Sequence, residues 1–214
     1  MKILIFNWRD IKNPNSGGSE IYFHELARRW VKKGHKVTII CGGWNGCKRE
    51  EIIDGVKTIR VGKEISSYLF APITYYRLKE KPDVIIDVEN GIPFFTPCFT
   101  DKKIKKFLHI HHIHRKVWFK EKNLILAPIG WFIETKIMPL IYKNTSIITL
   151  SRSSAEDIKK EGFGKIVGII NPGINFFSHR VFPKNKKPTI LFLNRIKKYK
   201  GIETFLKTAE EMKN

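Results

Sequence analysis

The sequence predicts an α/β fold with a doubly wound, Rossmann-like parallel sheet. Two observations lead to this prediction. Short apolar runs typical of buried parallel strands alternate along the chain with amphipathic segments of helical period, and a glycine pair separates the first run from the first such segment. Strands that alternate with helices in this way form parallel sheets with helices on both faces.

The apolar runs are short enough to be strands rather than helices. The first, KILIFN, begins at Lys2, and KVTIIC begins at Lys36. The predicted strands are residues 2–7, 36–41, 56–61, 82–88, 105–112, 145–151 and 165–170.

The first predicted helix follows the glycine pair. Its apolar residues recur at three-to-four spacing from Phe23 to Val31, and Gly34 is a natural C-terminal stop. Further helices are predicted for residues 68–79, 125–142 and 152–162.

A change in composition divides the chain. Residues 1–178 are predicted to form an N-terminal domain, and the polar, basic, proline-containing stretch at 179–188 is typical of a linker. Residues 189–214 then predict the first strand and helix of a truncated second domain, because one strand–helix unit cannot bury both of its faces.

The 214-residue chain has 40 Lys and Arg against 20 Asp and Glu, a formal net charge of +20. Such a balance indicates an anionic partner, namely nucleic acid, an anionic membrane or a phosphorylated ligand, although a lysine-rich surface for solubility is the alternative. No helix-turn-helix, zinc-finger or RNP signature is present, so we expect no nucleic-acid partner.

Cys41, Cys47 and Cys98 lack metal-ligand spacing and predict reduced thiols. The sequence has neither a recognisable leader nor an apolar run of about 18 residues. We therefore expect a cytoplasmic protein, with peripheral binding at the cytoplasmic membrane face as a further expectation. The apolar segment 125–142 could lie on that surface, but an ordinary core helix is the stronger interpretation.

The glycine pair Gly17–Gly18 lies where a ligand would bind in an open parallel sheet, beyond the carboxyl end of the first strand. Glycine allows close backbone approach, and a helix N-terminus attracts anions. The pair matches neither the dinucleotide fingerprint nor a P-loop, and a plain tight turn is an equal alternative. Glu20 is expected to cap the helix.

Several stretches together resemble the family 4 glycosyltransferases, which are retaining enzymes of the GT-B fold. They are NSGGSE in the first turn, HIHHIHRKVWF at the fifth strand, IITLSRSSAEDI, NPGINF, and LFLNRIKKYKGIETFLKTAEEM near the end. The last resembles the opening of the donor-binding domain, with Arg195 and Lys200 at the family's spacing. Asn194 departs from it, since the family usually has glycine there.

The resemblance implies transfer of a sugar from a nucleotide-diphosphate sugar to a carbohydrate or lipid-linked acceptor, with retention of configuration and without a cofactor or metal. Arg195 and Lys200 would offset the charge of the leaving diphosphate. The family's paired glutamates would lie beyond residue 214. The resemblance therefore implies an acceptor-side half that is inactive alone.

Four histidines, His109, His111, His112 and His114, could suggest zinc, but no further ligands at matching spacing are evident. On a strand His109 and His111 share one face, and His112 points away. The resemblance makes His111 the active-site histidine, with His112 as the fallback. A structural role is expected for His109 and His114.

Further substrate contacts are expected from residues that follow strands. Asn90 and Gly91 come after the fourth predicted strand, although an ordinary Asn-Gly turn is nearly as good an interpretation. Ser151 could bind substrate or cap the next helix. The resemblance adds Gly173, in NPGINF. A non-catalytic binding module for an anionic ligand or a lipid surface is the alternative function.

Overall fold

The computed structural model of the protein describes residues 1–121, 124–173, 183, 185–194, 196 and 200–212. The strands are β1 Lys2–Phe6, β2 Lys36–Cys41, β3 Glu50–Ile53, β4 Val56–Arg60, β5 Val84–Glu89, β6 Lys105–Ile110, β7 Ser146–Thr149 and β8 Ile166–Ile169. They form one sheet in the order β3-β4-β2-β1-β5-β6-β7-β8. Neighbouring strands are parallel except for the antiparallel β3–β4 pair. The predicted fold class is confirmed.

The helices are α1 Gly18–Lys32, α2 Ser67–Tyr76, α3 Trp118–Glu121, α4 Leu126–Phe132, α5 Met138–Ile141, α6 Arg152–Lys160 and α7 Ile202–Glu211. The helix predicted for residues 125–142 is present but irregular. A π-helical turn, Ile133–Ile137, joins α4 to α5.

Strand β3 was not among the predicted strands. It pairs with β4 through a tight turn in which Asp54 and Gly55 both have positive φ, 48° and 80°. This is the conformation that Asp-Gly adopts in two-residue hairpins. The turn signal was therefore in the sequence, but the preceding residues, Glu50–Ile53, are too polar to read as a buried strand.

Alternate residues of β1 face opposite layers of the core, as the pleat requires. Ile3 and Ile5 pack in the cluster that contains Phe23 of α1. Leu4 and Phe6 pack in the cluster that contains Tyr75 of α2. Helices therefore cover both faces of the sheet. A third cluster, which includes Leu108, Met138, Tyr142, Ile147 and Ile158, lies at the β6–β7 side.

The strand predicted to begin at Thr189 is not observed: residues 189–194 are described and adopt no regular structure. Ile190, Leu191 and Leu193 are largely exposed. A strand needs neighbouring strands to pair its backbone, and no neighbour is described next to this segment. The predicted helix is present as α7, and none of its residues is buried. Half of the predicted linker, residues 179–182 and 184, lies outside the described residues.

Candidate active site

The site lies beyond the carboxyl ends of the parallel strands, where the sheet order changes direction between β1 and β5. Asn7 follows β1, and Asn90 follows β5. The side-chain amide of Asn90 donates to Oδ1 of Asn7 over 2.9 Å, which joins the two strand ends. Asn90 is thus placed at the crevice where the sequence predicted a substrate contact.

The N-terminus of α1 opens into this crevice. Glu20 is buried, and its carboxylate accepts from the backbone amide of Gly17 over 2.7 Å, so it caps the helix as expected. Gly17 has an extended conformation, with φ −144°. A Cβ added at Gly18 would meet no atom within 4 Å. A tight turn therefore does not explain the glycine pair, and space is left open in front of the helix.

His111 lies between two helix N-termini. Its Nε2 is 3.0 Å from Oγ of Ser19 in the first turn of α1. Its backbone carbonyl accepts from Oγ of Ser154 in α6 over 3.1 Å. Burial, followed by the nearby His112, lowers the pKa of His111 to about 4, so the imidazole is neutral at pH 7.

Ser151 caps α6, because its Oγ accepts from the backbone amide of Ser154 over 3.1 Å. This confirms the capping interpretation for Ser151 and leaves its substrate contact a prediction. The 15-residue α1 and the nine-residue α6 thus begin on either side of His111. Two helix N-termini with neutral imidazole between them favour an anionic ligand group.

The other histidines separate as the strand period predicted. His109 packs with His111 against Phe23, with ring centroids 4.8 Å apart for His109 and Phe23. His112 instead lies against His114, with ring centroids 4.4 Å apart. The four rings therefore do not converge on one point.

Lys200 lies near enough to this site for its charge to act on His112. Burial and the charge of His114, with a smaller effect of Lys200, lower the pKa of His112 to about 4. Arg195 lies outside the described residues. Gly173 is exposed, and a Cβ there would meet nothing within 4 Å, so no described contact brings Gly173 to the other site residues.

The loop after β5 is held by the buried carboxylate of Asp87. It accepts from the backbone amides of Phe94 and Thr96 over 2.9 and 3.0 Å. The hydroxyl of Tyr142 donates to the same carboxylate. These bonds fix the segment that carries Asn90 and Gly91.

A cavity of about 610 Å³ opens beside Asn90 and Gly91, and the sequence analysis did not predict it. We call it the apolar pocket; its lining includes Tyr68, Phe94, Phe95, Trp118, Leu126 and Ile129. Ile65 and Leu69 line its α2 side, and both are also exposed to solvent, at 84% and 73%. Leu126 and Ile129 of α4 also line the pocket and are exposed.

Trp118 forms a wall of the apolar pocket because two glycines make room for it. A Cβ at Gly130 would lie 2.5 Å from the indole ring. A Cβ at Gly91, which has φ +105°, would lie 3.3 Å from it. The substrate contact predicted at Gly91 is thus accompanied by a structural need for glycine.

Glu134 anchors the loop that follows β6. Its fully buried carboxylate accepts from the backbone amides of His114 and Arg115 over 2.6 and 2.7 Å, and from the indole nitrogen of Trp118 over 3.1 Å. Arg115 has φ +45°, an uncommon value for a residue with a side chain, and these bonds stabilise it.

Glu89, at the end of β5, contacts Gly91, which lines the apolar pocket. Its Oε1 accepts from the amide of Gly91, and its Oε2 is buried without a hydrogen-bond partner among the described residues. Burial raises the pKa of Glu89 to about 7, against the opposing effect of His114 and with a further contribution from Glu134. Sequence spacing gave no signal for this group, because Glu89, His114 and Glu134 lie far apart along the chain.

No helix in the described part of the chain is both long enough and apolar enough to cross a bilayer.

The family model described as glycosyltransferase family 4 matches residues 16–176. Among solved structures, sucrose-phosphate synthase from Thermosynechococcus elongatus is similar, with a TM-score of 0.60 and 14% sequence identity. The match covers 79% of this chain and 47% of the synthase, so the chain spans about half the length of that protein. At this identity the likeness shows the fold alone. No curated protein sequence matches.

Proposed function

Because this chain belongs to glycosyltransferase family 4, we propose that it supplies the acceptor-side half of an enzyme that transfers a hexosyl-type sugar from a nucleotide-diphosphate sugar, with retention at the anomeric carbon. The observation that carries the proposal is the arrangement of α1, His111 and α6 at the carboxyl end of the sheet. It offers two helix N-termini and a neutral imidazole to one anionic group.

The leaving group in such a reaction is a nucleoside diphosphate, so positive charge must stabilise it as the bond to the sugar breaks. Lys200, whose charge acts on His112, supports this role. Arg195 is proposed to share it from the family resemblance. We propose that the donor site is completed by protein beyond this half and that the half alone does not transfer sugar.

The acceptor is proposed to lie at Asn90 and Gly91 with its remainder in the apolar pocket. Aromatic and aliphatic side chains dominate the lining of this pocket, and polar side chains such as Asn90 and His114 are few in it. This arrangement favours a lipid-linked acceptor over a carbohydrate acceptor, because a sugar polymer would leave its hydroxyl groups unpaired there.

A membrane surface is the proposed location of that acceptor. The sides of α2 and α4 that flank the pocket expose Ile65, Leu69, Leu126 and Ile129, and the chain has a net charge of +20. Exposed apolar residues on a cationic protein favour peripheral binding to an anionic leaflet, such as the cytoplasmic one.

The test is nucleotide release from a panel of UDP-, GDP- and ADP-sugars, with and without lipid extract, using the longest chain that the gene encodes. Release with one donor that is lost in Arg195→Ala and Lys200→Ala supports the proposal. Lys207→Ala, which removes an exposed lysine of α7, is the matched control and is expected to leave release unchanged.

The second candidate is a non-catalytic binding module for a lipid, favoured by the size and apolar lining of the pocket. This candidate would be selected over the transferase if a complete two-domain protein bound lipid but released no nucleotide with any donor and acceptor.

A further inference from the structure

Three side chains from distant parts of the chain meet at His114, which lines the apolar pocket. We call Glu89, His114 and Glu134 the acid–imidazole cluster. Nδ1 of His114 lies 3.3 Å from Oε1 of Glu134 and 3.7 Å from Oε1 of Glu89. One ligand atom from each residue lies within 4.8 Å of the other two. Both carboxylates are fully buried, and His114 also lines the pocket.

The two carboxylates differ in the number of hydrogen bonds that they accept from the protein. Glu134 accepts N–H hydrogen bonds from two backbone amides and from the indole of Trp118, and Nδ1 of His114 lies within hydrogen-bond distance of it as well. Glu89 accepts one, and its second oxygen has no partner in the part of the chain that the structure describes. A buried carboxylate oxygen without a donor is costly, and in Glu89 this oxygen is Oε2, bonded to the same carbon as the Oε1 that lies near His114.

Among the described residues, the ion pairs given for Glu89 and Glu134 involve no Lys or Arg. The guanidinium of Arg115 is directed instead to Asp157 and Glu161, over 3.0 and 2.9 Å. Within the described residues, the ion pairs of Glu89 and Glu134 are formed with His114 alone. The cluster therefore has two carboxylates against one imidazole.

We propose that the acid–imidazole cluster is a binding site for a divalent transition-metal cation of the zinc type, held by Glu89, His114 and Glu134. One imidazole nitrogen and two carboxylate oxygens form a ligand set that suits Zn²⁺. Ligand atoms around tetrahedral Zn²⁺ lie about 3.4 Å apart, since each bond is about 2.1 Å long. The 3.3 and 3.7 Å separations at His114 need little adjustment.

His114 lines the apolar pocket, and we expect the fourth position of such an ion to open toward it. The site would thus keep one position open for a water molecule or for an oxygen atom of a bound ligand. This site differs from a zinc site made by the histidine run, since it uses His114 alone of the four histidines and takes its carboxylates from β5 and from the π-helical turn.

The first test is equilibrium binding of Zn²⁺ alone to the metal-free chain by calorimetry, with Mg²⁺ as the comparison cation. We expect saturable binding of one Zn²⁺ at this cluster and no binding of Mg²⁺ at the same concentration, because Mg²⁺ prefers oxygen ligands in an octahedron. Co²⁺ gives a second readout: visible absorption bands of a four-coordinate ion are expected on addition to the unmodified chain.

The decisive variant is Glu89→Gln, which keeps an oxygen for the Gly91 amide but removes the charge. It is expected to weaken Zn²⁺ binding at least about 100-fold and to abolish the Zn²⁺-dependent rise in Tm. The matched control is Asp54→Asn, which removes the carboxylate that lies 2.8 Å from His24 on the surface and is expected to leave Zn²⁺ binding unchanged.

Circular dichroism of Glu89→Gln without metal is the folding control, and we expect the spectrum of the unmodified chain. Absence of saturable Zn²⁺ binding and of four-coordinate Co²⁺ bands in the unmodified chain would overturn the proposal. Equal Zn²⁺ affinity in Glu89→Gln would overturn it as well. These measurements need no donor or acceptor, so their outcome is independent of the proposed transferase activity.

Discussion

Oγ of Ser19 lies 3.0 Å from Nε2 of His111, so the first turn of α1 is joined to the end of β6. The imidazole is neutral at pH 7, because burial lowers its pKa to about 4. A neutral ring with one nitrogen engaged by a hydroxyl has a defined orientation. His111 is thereby held at the place where α1 and α6 both begin.

The first prediction concerns this pair. His111→Ala is expected to lower kcat/KM for sugar transfer about 100-fold, because it removes a positioned hydrogen-bonding group from the site where charge develops. Ser19→Ala is expected to lower kcat/KM less, about tenfold, because the imidazole remains but loses the hydroxyl group that orients it. The assay is nucleotide release by the longest encoded chain. His35→Ala, at the amino ends of the strands, is the control, and unchanged activity in His111→Ala would contradict the assigned role.

The second prediction is that Glu134→Ala lowers the free energy of unfolding by about 3–5 kcal/mol. The substitution leaves the amides of His114 and Arg115 and the indole N–H of Trp118 without their acceptor. Urea unfolding in the presence of a chelator measures the effect in the metal-free chain. Glu156→Ala, an exposed position on α6, should change stability by less than about 0.5 kcal/mol. A loss below 1 kcal/mol in Glu134→Ala would show that the loop does not depend on this anchor.

The third prediction concerns the stability of the protein at low pH. Burial, with the charge of His111 second, lowers the pKa of His109 to about 3 from its ordinary 6.5, and neither ring nitrogen has a partner among the described residues. The unfolded chain therefore takes up more protons than the folded one as the pH falls from 6.5 to 3, so stability is lost in this window. The groups around the ring are Tyr22 and His111, with His35 and Lys105 on the same cavity.

His109→Leu removes that titration. Between pH 7 and pH 3 the variant is expected to lose up to roughly 5 kcal/mol less stability than the unmodified chain. Urea unfolding over a pH series gives both curves. Protonation of His111 and His112 lowers the stability of both proteins, so this contribution cancels when the two curves are compared. Parallel curves would mean that His109 is not the buried neutral group described here.

The fourth prediction tests the proposed membrane contact. Leu69→Glu and Ile129→Glu place charge on the two sides of the apolar pocket and are each expected to weaken binding to vesicles of phosphatidylserine and phosphatidylcholine about tenfold, because an apolar contact is replaced by a repelled carboxylate. Co-sedimentation at two salt concentrations measures the binding. Ile52→Glu is the matched control, since Ile52 on β3 is exposed to the same 73% as Leu69. Equal losses in all three would point to net charge rather than to these helices.

Much of the parallel sheet could be predicted, because its strands are nearly continuous apolar runs that few other structures accommodate. The order of the motifs also led to His111, which the structure places between two helix N-termini. Residues 189–194 form no strand here, since an apolar run becomes a strand only beside a pairing partner, and the second domain stays a prediction. The substrate roles of Arg195 and Gly173 stay predictions.

The acid–imidazole cluster could not be read from spacing. Glu89 ends a strand, and Glu134 sits in a helix, where a single carboxylate among apolar residues is usually an exposed group. Only the fold shows that both carboxylates turn inward to His114. The apolar pocket escaped prediction for the same reason, because the lining side chains come from separate segments that individually resemble ordinary core.

Glu134 belongs to the π-helical turn Ile133–Ile137 between α4 and α5. Such a turn is an α-helix that has taken in one extra residue. Successive residues of an α-helix advance by about 100°, so deleting one residue here would rotate Glu134 by that angle relative to α5 and carry its carboxylate away from Trp118. The π-helical turn therefore sets the direction in which Glu134 projects, and with it the anchoring of the loop after β6. Relatives that lack the extra residue are expected to hold the loop after β6 by other contacts.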